Sequence, residues 1–246
     1  MRSTIEAKLG AMFLVVLAAG AGAAAEGERP VEAELKAAAD ASAKKAPPGF
    51  AETSRKSIDE VAASGILKTA LNVGGAMPGF ALKDAAGATV NSADLLSRGP
   101  LVVVFYRGAW CPYCNLYLHR LQDYLPKLAE RGATLVAISG EGPDNTAATV
   151  KKTQATFQVL SDPGYVASRR FGVIYQVNKD VANAMRGFGV DMKNRYGTGK
   201  DELPLSATYV VGQDGKVTYA FLDADYKKRA EPADVLAALD KMKKKK

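Results

Sequence analysis

The sequence predicts a three-layer α/β domain on a central mixed sheet, preceded by a helical N-terminal extension. Three observations carry that expectation. From Met77 onward, short apolar runs alternate with helical patterns. Leu101 to Tyr106 (LVVVFY) is apolar throughout, as suits a strand buried on both faces. Residues 31–72 are rich in Ala, Lys and Glu and are broken by Pro47-Pro48-Gly49, which predicts helices over about 31–44 and 51–71.

Taken in order, residues 1–25 stand apart from the fold. Arg2 and Lys8 give a charged start, Ala11 to Ala19 an apolar core, and Ala23-Ala24-Ala25 a small-residue cleavage site. This reads as a signal peptide and predicts an exported protein, periplasmic or extracellular, with no stable membrane span after cleavage. Residues 26–73 form the helical extension, where Ile58, Val61, Ile66 and Leu67 make an apolar stripe suited to packing on the outside of the domain. Residues 74–240 form the main domain, and 241–246 a Lys-rich tail.

Within the domain, Phe80 to Leu82, a turn at Asp84–Gly87, and Thr89-Val90 read as a hairpin, followed by a short helix from Ser92 to Leu96. After the Leu101 strand comes a long helix through residue 130, kinked at Pro126. A second buried strand spans Ala133 to Ser139, a helix Asp144 to Thr153, a short strand Phe157 to Leu160, and a helix Gly164 to Phe171. Residues 174–203 are polar and Gly-rich and read as an insertion with a single helix. Thr208 to Val211 and Val217 to Phe221 flank the turn Gln213-Asp214-Gly215, and Pro232 opens a last helix through Leu239.

The net charge is +7, but residues 26–240 carry 26 basic against 25 acidic side chains. The fold has no strong basic balance, which argues against a nucleic-acid partner. There are two cysteines and one histidine. A structural zinc site wants four ligands, so a metal site is not expected. Any internal disulfide joins Cys111 and Cys114.

That pair sits at the strand-to-helix junction, in Arg107-Gly108-Ala109-Trp110-Cys111-Pro112-Tyr113-Cys114. A strand feeding Cys-x-x-Cys at a helix start is a redox signature. Pro112 suits the first helical position, placing Cys111 at the N-cap and Cys114 in the first turn. Unpaired N–H groups there favour a thiolate. On this reading Cys111 is the more acidic and more exposed thiol. Arg107 lies close enough in the loop to stabilise a thiolate or a developing oxyanion. Trp110, Pro112 and Tyr113 are candidates for positioning substrate. The plainer readings are a solvated Arg107 and a core Trp110. His119 falls roughly 12 Å along the helix from Cys111, too far for direct catalysis. Asp144 or Asn145 reads as a helix cap.

The order of elements resembles the thioredoxin fold. Met77-Pro78-Gly79-Phe80-Ala81-Leu82, Phe105-Tyr106, Leu160-Ser161-Asp162-Pro163-Gly164 and Ala207-Thr208-Tyr209-Val210-Val211 resemble the peroxiredoxins, the alkyl hydroperoxide reductase/thiol-specific antioxidant family, in a branch carrying Cys-x-x-Cys. The resemblance implies that the peroxide-attacking cysteine falls on Cys114 and its supporting threonine on Cys111. It places the family's arginine near Ser206, the late-strand neighbour of the site, where this chain has none. It also implies a hydroperoxide substrate, a cycle through a Cys111–Cys114 disulfide, and an external thiol reductant, thioredoxin-like or glutathione-type, with no other cofactor. A thioredoxin-like enzyme acting on protein or small-molecule disulfides, with Cys111 attacking, is the second reading. A binding module with an inert disulfide is the third.

Overall fold

The computed structural model describes residues 30–243. The expected signal segment, 1–25, and the end of the tail, 244–246, lie outside the described residues. Helices α1 (Val31–Ala43), α2 (Phe50–Ala63) and α3 (Ile66–Thr69) precede a hairpin of β1 (Ala81–Asp84) and β2 (Thr89–Asn91). There follow α4 (Ser92–Arg98), β3 (Leu101–Phe105), α5 (Pro112–Asp123), α6 (Leu125–Ala129), β4 (Thr134–Ser139), α7 (Pro143–Thr153) and β5 (Gln158–Ser161). A 3₁₀ turn leads to α8 (Val166–Arg170), β6 (Ile174–Gln176), α9 (Lys179–Gly187), α10 (Met192–Arg195) and β7 (Glu202–Pro204). The described chain closes with β8 (Ser206–Val211), β9 (Val217–Asp223) and α11 (Pro232–Lys243).

Seven strands form one mixed sheet in the order β2-β1-β5-β4-β3-β8-β9. The apolar β3 lies inside it, parallel to β4 and antiparallel to β8. All five of its residues are buried. Alternate side chains feed opposite layers. Val102 and Val104 pack with Leu118, Leu121 and Leu239 from α5 and α11. Leu101, Val103 and Phe105 pack with Val61, Leu95 and Phe171 on the other face. Because β8 runs against β3, with Phe105 opposite Ala207, Ser206 comes beside the loop that leaves β3. This is the carboxyl edge of the parallel strands, where sites in such sheets collect.

The lead helices are not packed merely on the outside. Val31 and Leu35 of α1 are buried in one layer of the core and Val61 of α2 in the other. The Val31 and Glu32 backbone N–H groups donate to the Glu231 carboxylate at 2.9 and 2.8 Å, so a distant side chain caps α1. The expected second helix breaks at Gly65, whose φ of +85° ends α2 and starts α3. Pro126 does not kink one long helix. It opens the separate α6, because Pro is tolerated in a first turn. Gly142, not Asp144 or Asn145, is the N-cap of α7, with Pro143 following it. Helix α11 continues past Leu239 into the lysine run.

The largest difference lies in residues 174–203. This segment holds two helices and the antiparallel ribbon β6–β7. It has its own apolar cluster of Val177, Val181, Met185, Met192, Tyr196 and Leu203 on Tyr165. Its turns use Gly189 and Gly197 at φ +80° and +67°, the glycines that make the sequence read as loop. No helix among the described residues is long and apolar enough to cross a membrane.

Candidate active site

The site is built on the junction of β3 and α5. Cys111 is the N-cap residue of α5, and its Sγ accepts a hydrogen bond from the Cys114 backbone N–H at 3.4 Å. Pro112 occupies the first turn, where its missing N–H costs nothing. Both cysteines are free thiols and neither has exposed surface.

The loop before them is pinned from four sides. The buried Glu141 carboxylate accepts from the Ala109 N–H at 2.7 Å and from Arg195 Nη1 at 2.6 Å. Trp110 Nε1 donates to the Tyr196 hydroxyl at 2.9 Å, which donates on to the Arg107 carbonyl at 2.7 Å. Asn115 Nδ2 and Lys152 Nζ donate to the Ala109 carbonyl. Burial raises the pKa of Glu141, and its partners oppose that rise.

Two guanidinium groups flank the thiols. Arg107 is not solvated: it is 6% exposed and stacked between Trp110 and Tyr226, its Cζ 4.6 and 4.3 Å from the ring centroids. Arg229, from the loop between β9 and α11, is not among the residues that the sequence reading singles out. Its Nη2 donates to Cys114 Sγ at 3.2 Å, and its Nη1 donates to Ser206 Oγ at 2.6 Å and to the Lys228 carbonyl at 2.6 Å. Ser206 thus holds a guanidinium in place instead of supplying one. The available signal was simple: Arg229 is the only arginine after Ser206.

The electrostatics reverse the expected order of the thiols. Burial raises Cys114, but the hydrogen bond from Cys111 and the charges of Arg229 and Arg107 outweigh it and bring its pKa down to about 5. Burial pushes Cys111 well above the ordinary thiol range, and its position beside Cys114 pushes it further. Cys111 is therefore not the more acidic thiol; both are buried, and of the two only Cys111 lines the cavity described below. The N-cap position alone does not win, because Cys114 collects the nearer cation.

Trp110, Cys111, Pro112, Tyr113 and Arg107 all line one cavity; Cys114 and Ser206 are not among its lining residues and are joined to each other through Arg229. Tyr226 completes the group, in edge contact with Tyr113 at 5.6 Å between centroids. His119 is elsewhere, its Nδ1 within 3.1 Å of the Thr153 carbonyl oxygen.

The family model described as "AhpC/TSA family" matches residues 73–220. The chain belongs to this family. A protein of Populus jackii named peroxiredoxin Q is 35% identical over 103 residues, covering 42% of this chain and 48% of that one. The peroxiredoxin Q of Triticum aestivum is 28% identical over 160 residues, covering 65% and 63%. A protein of Mycobacterium tuberculosis, also named as a peroxiredoxin, is 30% identical over 152 residues, covering 62% and 85%. The match thus spans about half to just under two thirds of the length of the two plant relatives. Among solved structures, peroxidoxin BcpB of Mycobacterium tuberculosis superposes with a TM-score of 0.55 at 23% identity, covering 70% of this chain and 98% of that one. A peroxiredoxin 6 of Arenicola marina superposes at 0.57 with 14% identity, covering 70% and 74%. These two share the thioredoxin-like fold with this AhpC/TSA member.

Proposed function

We propose that this AhpC/TSA member is a thiol peroxidase in which Cys114 attacks and Cys111 resolves. The observation that carries the reading is Arg229 on the Cys114 sulfur, with the same guanidinium braced by Ser206. The Cys114 thiolate attacks the distal oxygen of a hydroperoxide ROOH. An S–O bond forms, the O–O bond breaks, and RO⁻ leaves to take up a proton. Guanidinium donors at the site stabilise the charge that develops on the leaving oxygen. The sulfenic acid on Cys114 then condenses with the Cys111 thiol, releasing water and leaving the 111–114 disulfide. An external reductant, one equivalent of a thioredoxin-like dithiol or two of a glutathione-type thiol, restores both thiols by exchange and leaves as its own disulfide, and no other cofactor enters. The position of Cys111 at the floor of the cavity suits its disulfide to attack by that reductant.

The test is stoichiometric. Reduced protein mixed with one equivalent of an alkyl hydroperoxide is expected to lose two thiols and form one intramolecular disulfide, seen as a loss of two hydrogens in intact mass. One observation favours the thioredoxin-like reading instead: Cys111, not Cys114, faces the open cavity. Peroxide consumption no faster than by free cysteine, together with rapid reduction of insulin disulfides, would replace the first reading with the second.

We also propose export, supported by the charged start, apolar run and Ala-Ala-Ala site of residues 1–25. N-terminal sequencing of native protein is expected to start at or near Glu26. Recovery of Met1 would rule it out.

A further inference from the structure

A cavity of about 360 Å³ opens over Cys111. That volume lies in the range of roughly 300–1,000 Å³ that holds small molecules. Three distant stretches of chain build it. Phe50 comes from the lead helices, Met185 and Phe188 from the insertion, and Trp110 and Tyr226 from the loops around the thiols. Phe50 and Phe188 meet edge to face at 5.5 Å, and Phe188 remains 51% exposed. The walls are mostly apolar, yet the floor beside Cys111 is a buried cation, Arg107.

Among the described residues the buried charge there does not balance. Arg107 and Arg229 bring two positive charges, and the Cys114 thiolate supplies one negative charge. Glu141, the nearby buried carboxylate, is committed to Arg195. Arg107 Nε is buried with no hydrogen-bond partner among the described residues. A void of about 20 Å³ beside Arg107 has room for one water. A water there would satisfy a hydrogen bond but not the charge, and buried charges are ordinarily paired. Its Cζ lies over both the Trp110 and the Tyr226 ring. A guanidinium donates from its edge, in its own plane, which is the geometry a planar carboxylate accepts.

We propose that this cavity binds a small molecule with one carboxylate on an elongated apolar body, the carboxylate on Arg107 and the body between Trp110, Met185, Phe50 and Phe188. Bound there, the molecule covers Cys111 and competes with any reagent that reaches the cysteines from the cavity. The inference rests on the cavity and its charge, and it stands whichever reaction the thiols perform.

Trp110 is the only tryptophan of the chain and lies in the cavity wall, so its fluorescence reports occupancy without any peroxide. The reduced full chain is titrated with decanoate and with 1-decanol. One charge-assisted pair of hydrogen bonds is expected to make decanoate bind about ten- to a hundred-fold more tightly. Arg107→Met should reduce decanoate binding to the level of decanol. Arg107→Lys keeps the charge but loses the fork, so it should narrow the ratio several-fold, and it serves if the Met variant misfolds. Phe188→Ser, at the exposed rim, should weaken both ligands. Lys45→Met, which removes an exposed second cation that also lines the cavity, should leave the ratio unchanged. Equal binding of acid and alcohol, no saturable change with either, or loss of the ratio in Lys45→Met alone would overturn the proposal. Because no hydroperoxide is used, none of these results bears on the peroxidase reading.

Discussion

A thiolate with no exposed surface persists only where fixed donors replace the water it has lost. Cys114 has such donors in Arg229 at 3.2 Å and in the neighbouring Cys111 thiol. Arg229→Met should therefore slow hydroperoxide reduction by about 10²- to 10³-fold. It should also move the acid limb of the pH–rate profile upward from about 5, where the Cys114 thiolate is otherwise lost. Stopped-flow rates against pH check both effects; an unchanged limb with a lower plateau would assign Arg229 to substrate alone. The same shift makes stability depend on pH. Between about 5 and 9.0 the unfolded chain holds a proton that folded Cys114 has released, so stability rises with pH across that window. The contribution is complete above 9.0 and gone below about 5. Urea unfolding of wild type and Cys114→Ser should show that rise in the first and not in the second. At this scale the cysteine pair was legible from local spacing, and Ser206 only through the family resemblance. Arg229 was not, because Tyr226-Lys227-Lys228-Arg229 reads as a solvated basic run until the fold turns its end inward.

At the scale of elements, β3 and α5 do what their sequences predict: an apolar strand ends, and Cys-Pro starts a helix. The loop between them is held by partners from far along the chain. Glu141 follows β4, and Tyr196 and Arg195 belong to the insertion. Gly108 makes this packing possible. A Cβ there would lie 2.6 Å from the Glu141 carboxyl group and 2.8 Å from Trp110 Nε1, at a φ of +153°. Gly108→Ala is expected to destabilise the protein by about 1–3 kcal/mol through overpacking. It should also shift Trp110 emission, since the bond to Tyr196 would be displaced. Urea midpoints and fluorescence spectra measure the two effects, and an unchanged midpoint would mean the loop relaxes freely. The insertion was illegible because its elements are short and punctuated by glycine. The spacing of Val177, Val181 and Met185 was its one visible apolar signature.

At the scale of the whole molecule, the lead helices and the insertion meet over the cysteines, although in sequence the first reads as an outside layer and the second as a loop-rich insertion. Their docking depends on long-range contacts that local pattern does not encode: Leu35 in the core beside α5, Glu231 at the start of α1, and Phe50 against Phe188. Leu35→Ala should cost about 2–5 kcal/mol, as for a core leucine and not a surface one; thermal or urea unfolding decides, and a loss under 0.5 kcal/mol would return α1 to the surface. The mixed sheet and its two layers, in contrast, were readable from the alternation of elements, because each strand and helix buries its own periodic face. What the assembled molecule does is concentrate two guanidinium groups on one thiolate, and the most direct test asks which sulfur takes the oxygen. Reduced Cys111→Ser and Cys114→Ser are each mixed with one equivalent of an alkyl hydroperoxide and a dimedone-type sulfenic acid trap, and the adduct is located by mass spectrometry. Cys111→Ser is expected to give a trapped sulfenic acid on Cys114, and Cys114→Ser no adduct. A fast adduct on Cys111 in Cys114→Ser, with Cys111→Ser inert, would contradict that expectation.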